Sequence, residues 1–268
     1  MAVVNLTPDS FYDGGRWVGE AEVLDQCRRW VEGGAAVLDV GGESTRPGAD
    51  PVDVETEQAR ILPLIRALTL DPLLSSVPVS VDTRHAVVAQ AALRAGASIV
   101  NDISGLADPD MVRVVAEAGA GLVLGHLRGT PKTMQGEVEF EDLSAEIEDE
   151  LGAGVSRAVA GGVSRRSILI DPGIGFGKSA DHSAALVVSS RRLGGTVGCP
   201  VLIGASRKSF LGSLGVEDRG LASVVAAVMA AEYGAAVVRV HDVVQTVEAL
   251  RVQRGLTLAA LSVGLAAL

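Results

Sequence analysis

Eight short apolar runs, each followed by a longer amphipathic stretch, predict an α/β fold: a single-domain (β/α)8 TIM barrel spanning residues 1–268. The runs are almost uninterrupted rather than alternating, as parallel strands covered on both faces require. A chain of 268 residues also falls within the size range of one such barrel. A doubly wound open sheet shares the alternation of strand and helix, so closure of the barrel stands as an expectation.

The first strand is placed at residues 3–6, where V-V-N-L opens the chain, and the second at 37–40, V-L-D-V. The remaining six follow at 77–81, 99–102, 122–124, 168–170, 201–203 and 237–240, rich in Val, Ile and Leu. Helical patterns fill the intervals at 21–32, 54–68, 86–94, 111–118, 143–160, 184–193, 221–233 and 244–252. Gly33, Gly96, Gly119, Gly161 and Gly234 stand where left-handed C-terminal caps are expected. Two connections are long, 7–20 after the first strand and 41–53 after the second. Both leave the C-terminal ends of strands, the face on which a barrel assembles its site. The closing run 256–268 is read as a last helix packed on the body. The chain begins almost at its first strand, so the barrel floor is expected to lack a covering segment.

Composition narrows the function. Hydrophobic residues make up 48% of the chain but aromatic residues only 3%, so the core is aliphatic. The net charge of −10 argues against a nucleic-acid backbone or an anionic membrane as partner. No apolar run approaches the ~18 residues of a membrane span, and no signal peptide opens the chain. Cys27 and Cys199 are too few for a disulfide framework or a zinc site, which suits a reduced, cytoplasmic protein.

Polar side chains gather at the strand ends. Asn5, Asp39, Asp82, Asn101, Asp102, His126, Asp171, the Ser206-Arg207-Lys208 string, Arg239 and His241 follow one another around the predicted rim. Asp82, Asn101 and Asp171 suit a flat heterocycle with amino, ring N–H and carbonyl edges. Lys208, Arg239 and His241 supply positive charge suited to a phosphate or diphosphate. Asp39 reads as a holder of the 41–53 loop or of buried amides, and Arg207 equally as a brace or as a ligand contact. The string from Pro172 to Ser179 misses a phosphate-binding loop by one residue, because Pro172 stands where the first glycine belongs. No G-x-G-x-x-G opens a helix, and no paired histidines suggest a zinc hydrolase.

Read in order, N-L-T-P-D-S-F-Y-D-G-G (5–15), D-V-G-G-E-S-T-R-P-G-A (39–49), V-D-T (81–83), N-D-I-S-G (101–105) and H-L-R-G-T-P-K-T-M-Q (126–135) resemble the dihydropteroate synthase family. D-P-G-I-G-F-G-K (171–178), A-S-R-K-S-F-L-G (205–212) and R-V-H-D (239–242) complete the resemblance over nearly the whole chain. It implies a transferase of folate synthesis, which condenses p-aminobenzoate with dihydropterin methyl diphosphate and releases pyrophosphate. It implies catalytic roles for Asp13, Asp82, Lys208, Arg239 and His241. Pterin diphosphate falls to Thr45, Asp82, Asn101, Asp171, Lys208, Arg239 and His241, and Mg²⁺ to Asn5. The p-aminobenzoate slot falls to Phe11, Arg46, Pro47, Phe176, Lys208 and Ser209, the slot that sulfonamides mimic.

Two departures stand out. Gly125 and Leu127 replace the methionines that usually flank the family's His126, and Gly125 removes an apolar platform expected against the pterin. Ser183 replaces an asparagine. Two alternatives share Asp82, Asn101 and Asp171: a pterin-binding paralogue without turnover and a methyltetrahydrofolate-type methyltransferase barrel. The apolar stretch 221–229 and the C-terminal run predict a homodimer through the last two helices.

Overall fold

The structure, a computed structural model, describes residues 1–7, 12–13, 16–17, 19–46, 48–136 and 139–264. Six parallel strands hydrogen-bond in chain order: β1 (Ala2–Asn5), β2 (Leu38–Gly41), β3 (Val79–Asp82), β4 (Ile99–Asp102), β5 (Gly121–Gly125) and β6 (Ile168–Asp171). The short β7 (Leu202–Ile203) and β8 (Val237–Val238) pair with each other, also in parallel. Two bridges join the arcs, Ile170 to Val201 on one side and Ala2 to Val240 on the other. The eight predicted strands therefore close into a barrel.

Helices α1 (Glu20–Glu32), α2 (Val54–Leu70), α3 (Ala86–Arg94), α4 (Met111–Ala118) and α5 (Leu143–Ala160) cover the first five strands. Then come α6 (Ala180–Val187), α7 (Ser190–Val197), the single turn α8 (Phe210–Ser213), α9 (Arg219–Glu232) and α10 (Val243–Ser262). Short polar residues start them where orphan amides need acceptors: Asp53 receives the Thr56 amide at 2.7 Å, and Asp142 receives those of Ser144 and Ala145 at 3.0 Å. The core lies between the two layers, with Leu38, Ile61, Ile65, Leu122 and Ile168 buried there. Cys27 and Cys199 are free thiols inside it. No helix among the described residues is long and apolar enough to cross a membrane.

Three expectations change. The helix read at 184–193 is two helices, because Ser189 turns its hydroxyl onto Leu186 O at 2.9 Å and the Arg191 amide leaves the ladder for Tyr233 O at 2.8 Å. The left-handed conformation expected at Gly33 and Gly161 falls one residue later, at Gly34 (φ 105°) and Gly162 (φ 100°). Of the C-terminal run, residues 256–262 continue α10 rather than forming a packed last helix, and only Val243 and Thr246 of α10 are buried. Leu256 is 68% exposed, since the helix has run past the body by then.

Candidate functional site

Strand register sets the geometry of the barrel mouth. Asn5 pairs with Gly41, Gly41 with Asp82, and Asp82 with Asn101, so these residues occupy one level at the C-terminal rim. Asp39, two residues before Gly41, lies one step deeper on the same face. Arg239, just past β8, spans both levels: Nε donates to Asp39 Oδ2 at 2.6 Å and an η-nitrogen to Asp82 Oδ2 at 2.7 Å. Asn101 Nδ2 donates to the same Asp39 oxygen at 3.1 Å. Asp39 is thus a floor for Arg239 and Asn101 rather than a holder of the 41–53 loop. Barrel closure brings β8 across from β2, which no local pattern reveals.

Each carboxylate keeps an oxygen in reserve. Asp39 Oδ1 and Asp82 Oδ1 are buried and have no hydrogen-bond partner among the described residues. Burial pushes the Asp82 carboxyl up to about 7 against the pull of the Arg239 guanidinium, with Asp39, Glu57 and Asp102 adding to the rise. Arg239 is held well above its usual range; burial opposes this, but Asp39 and Asp82 outweigh it.

Across the mouth, Asp171 ends β6 in register with Gly125 and receives the Gly173 amide at 2.7 Å. Burial raises its carboxyl, opposed chiefly by Lys208. Lys208 donates to Ile174 O and holds its ammonium 4.4 Å from the centre of the Phe176 ring. Burial lowers this ammonium to about 8, opposed by Asp171, so the charged form predominates at neutrality. Asp82, Asn101, Asp171, Lys208 and Arg239 therefore stand together at the barrel mouth, in register or within electrostatic reach of one another.

His241 joins the rim but not as a cation. Its backbone amide donates to Ser206 Oγ at 3.2 Å, and that hydroxyl lies 3.0 Å from Nδ1. Burial depresses the imidazole to about 4, reinforced by Arg239 and Arg207. At neutral pH His241 offers a hydrogen bond, not the positive charge expected of it. Arg207 settles as a brace, with an η-nitrogen donating to Asp242 at 2.6 Å.

The loops show less. In the 41–53 connection Thr45 is half-buried and Arg46 exposed, while Glu43 ties the loop base to Arg84 at 2.9 Å and to the Val52 amide at 3.0 Å. Phe11 and Pro47 lie outside the described residues, and so does the side chain of Asp13, whose backbone pairs with Arg16 in a short antiparallel ladder. Ser209 is exposed at the start of α8.

Two rim candidates face elsewhere. Asp102 turns back to receive Ser104 N, Ser104 Oγ and Leu106 N at 2.6–3.0 Å, which shapes its own loop. His126 is buried against Lys178, whose Nζ lies 2.8 Å from Nδ1. Lys178, the residue the sequence reading passed over with the discarded phosphate loop, is only 4% exposed. A buried lysine closing a glycine-rich string was the available signal.

Comparison with known proteins decides the family. The model of the pterin binding enzymes matches residues 1–241. The chain belongs to this family. It is 44% identical to the dihydropteroate synthase of Mycobacterium leprae, over 94% of this chain and 91% of that protein. It is 43% identical to a probable bifunctional folylpolyglutamate synthase/dihydropteroate synthase of Haloferax volcanii, over 94% of this chain; there it spans only 30% of the relative's length. Among solved structures, the dihydropteroate synthase of Xanthomonas albilineans with 4-aminobenzoic acid superposes with a TM-score of 0.87 at 39% identity, covering 96% of this chain and 92% of that one.

Within the family pattern, the departure at Gly125 has a local cause. A Cβ there would stand 2.7 Å from Ile103 Cα and 3.0 Å from Asp102 O, closer than side chains tolerate. The end of β4 thus occupies space that a larger residue would need. Ser183, the other departure, supports the pocket wall by receiving the Gly175 amide at 3.2 Å.

Proposed function

We propose that the protein is a dihydropteroate synthase. It joins p-aminobenzoate to (7,8-dihydropterin-6-yl)methyl diphosphate, giving 7,8-dihydropteroate and pyrophosphate. The reading is carried by Asp82 Oδ1, a buried acceptor without a partner among the described residues, facing the same pocket as Asn101 and Asp171. A buried carboxylate oxygen left this way costs free energy unless a ligand N–H reaches it. The amino and ring N–H edge of a pterin supplies such donors, and Lys208 offers one to the ring carbonyl.

Charge then directs the chemistry. Ionisation of the carbon–oxygen bond leaves a cation delocalised over the pterin, which Asp82 and Asp171 favour, and a negative charge on the departing diphosphate. Lys208 and Arg239 supply positive charge that would favour its departure, and a ring N–H of His241 would donate a hydrogen bond to it. The aniline nitrogen of p-aminobenzoate attacks the cationic carbon directly and then gives up one of its protons to water or to the departed diphosphate, so no protein nucleophile is needed and the remaining demand is positioning. Phe176, below the Lys208 ammonium, forms one wall of the slot for the ring. Thr45, Arg46 and Ser209 would complete it.

Mg²⁺ fits the donor set at Asn5. Gly41 lacks the Cβ that would stand 3.6 Å from Asn5 Oδ1, leaving this neutral oxygen approachable beside Asp82. Among the described residues no group of three or more His, Cys, Asp or Glu could hold a metal. One amide oxygen, with diphosphate and water completing the shell, is a usual arrangement for this ion. When bound, Mg²⁺ would neutralise charge on the leaving diphosphate.

The test is pyrophosphate release from the two substrates, with and without Mg²⁺. Release that requires both substrates supports the reading; none in the presence of Mg²⁺ and both substrates refutes it. We further propose that it acts in the cytoplasm as a homodimer. Leu221 (61% exposed) and Val225 (53%) on α9 and Leu256 (68%) on α10 are apolar side chains that pairing would cover. Sedimentation showing only a 27.5 kDa species at micromolar concentration would refute the dimer.

A further inference from the structure

The loop 172–178 forms the Phe176 wall, yet its backbone has little to hold it. Gly173, Gly175 and Gly177 all adopt left-handed conformations, with φ of 67°, 78° and 61°. Glycine is the residue least restrained in that region, so the loop's shape depends on what grips it from outside. Four side chains do so. Asp171 holds the Gly173 amide, Ser183 holds the Gly175 amide, Lys208 donates to Ile174 O, and Lys178 donates to Phe176 O at 2.9 Å.

Lys178 differs from the other three in what its group is left to do. Asp171 and Lys208 also face the pterin pocket, and a bound substrate competes for them. The Lys178 ammonium is buried on the opposite side of the loop. Its three N–H groups meet three acceptors: Phe176 O, His126 Nδ1 at 2.8 Å and, more weakly, His126 O at 3.4 Å. Accepting at Nδ1 leaves the His126 proton on Nε2, which lies 3.0 Å from Glu150 Oε2 on α5 but is not aligned to hydrogen-bond with it or with any other described group. Burial and the neighbouring Lys178 depress the imidazole to about 4, so the proton of this pair resides on the lysine. Gly173 completes the fit: a Cβ there would stand 1.9 Å from His126 O, so the loop lies directly against the end of β5.

We infer that Lys178 is a positioning residue that pins the backbone of Phe176 to the end of β5 through His126, and so sets the p-aminobenzoate slot independently of pterin binding. The inference rests on the proposed synthase reaction for its kinetic consequence, but the positional claim stands on the geometry alone. A merely structural lysine would, when lost, lower stability and the active fraction. A positioning lysine acts on one substrate.

The experiment compares Lys178→Met and Lys178→Arg with the unaltered protein by steady-state kinetics, varying each substrate in turn. The methionine variant is expected to raise the p-aminobenzoate KM at least tenfold, with the pterin diphosphate KM and kcat within threefold. The arginine variant, which restores charge and donors, is expected to recover most of that loss. Equal rises in both KM values, or a fall in kcat alone, would overturn the inference. If Lys178→Met does not fold, His126→Leu and His126→Asn take its place: the asparagine amide oxygen can substitute for Nδ1 as acceptor, so only leucine should raise the p-aminobenzoate KM. Hydrogen exchange of the amides at 173–177 separates this inference from the proposed reaction. Exchange at least tenfold faster in the methionine or leucine variant, with the β-strands unchanged, supports the pin even in a protein that releases no pyrophosphate. Unchanged exchange in that segment refutes it.

Discussion

The two walls of the pocket are built on opposite principles. On one side Asp39, Asp82, Asn101 and Arg239 belong to strands or their immediate ends, and each is fixed by the others through bonds of 2.6–3.1 Å. On the other side, Phe176 sits on a loop whose glycines impose no shape and whose form is imposed by four side chains, Asp171, Ser183, Lys178 and Lys208. The first wall is a closed network in which removing a member leaves a buried charge. The second is a set of ties to single backbone groups, in which Lys208 also answers the buried Asp171 carboxylate. Placement on strands suits a heterocycle read by several fixed groups, and the tied loop suits a ring packed against Phe176.

The largest effect should come from breaking the network. Arg239→Met leaves Asp39 and Asp82 buried without their counter-charge, a change that costs on the order of 3–5 kcal/mol when one partner of a buried pair is removed. Urea unfolding should show that loss at pH 7, along with loss of turnover. Adding Asp39→Asn should restore part of the stability but none of the activity. Equal stability of Arg239→Met and the parent protein would show that the two carboxylates are not held by this guanidinium.

Next in size is the loop side, where Lys208 and Ser209 separate the two substrates. Lys208→Ala should weaken both, because the ammonium stands between Asp171 and Phe176. Ser209→Ala should raise only the p-aminobenzoate KM, roughly ten- to a hundredfold for a lost hydrogen bond to a charged group. Neither should approach the stability loss of Arg239→Met. An unchanged pterin constant in Lys208→Ala would remove the lysine from between the two pockets.

A pH dependence sharpens the comparison further. Burial lowers the Lys178 ammonium to about 7; Asp171 and Glu150 oppose the fall, while Lys208 and Arg128 add to it, and His126 faces the group directly. The charged tie is present below that value and weakens as pH rises through it. With pterin diphosphate saturating, the p-aminobenzoate KM should climb by about three- to tenfold between pH 6 and pH 8, as the protonated fraction falls. Lys208 titrates near 8 and acts in the same direction at the upper end. In Lys178→Arg, whose guanidinium does not titrate there, the rise below pH 7.5 should flatten. Identical profiles for the two proteins would count against Lys178 as its source.

The smallest effect belongs to the exposed brace. Arg207 is more than half exposed and Asp242 one-fifth, so Arg207→Ala should change stability by no more than about 1 kcal/mol. A larger loss would mean that the brace carries part of the strand-end network.

The sequence by itself determined the barrel and most of the pocket's membership. Parallel strands buried on both faces must be continuous apolar runs, and their C-terminal ends must carry whatever polar groups the site uses; Asp82, Asn101, Asp171, Lys208 and Arg239 were legible for that reason. The helix break at Val188–Ser189 was not, because it depends on the Arg191 amide finding Tyr233 O, 42 residues away in sequence. Only tertiary structure turned Asp39 from a loop holder into the floor of the pocket, since Arg239 reaches it across the closed barrel from 200 residues further along the chain. It also withdrew the charge from His241, because burial beside two arginines opposes protonation, and gave Lys178 its place beneath Phe176. Residue type and spacing reveal which groups stand at the strand ends; which of them pair, and which proton each one keeps, follows from distances and burial that exist only once the chain is folded.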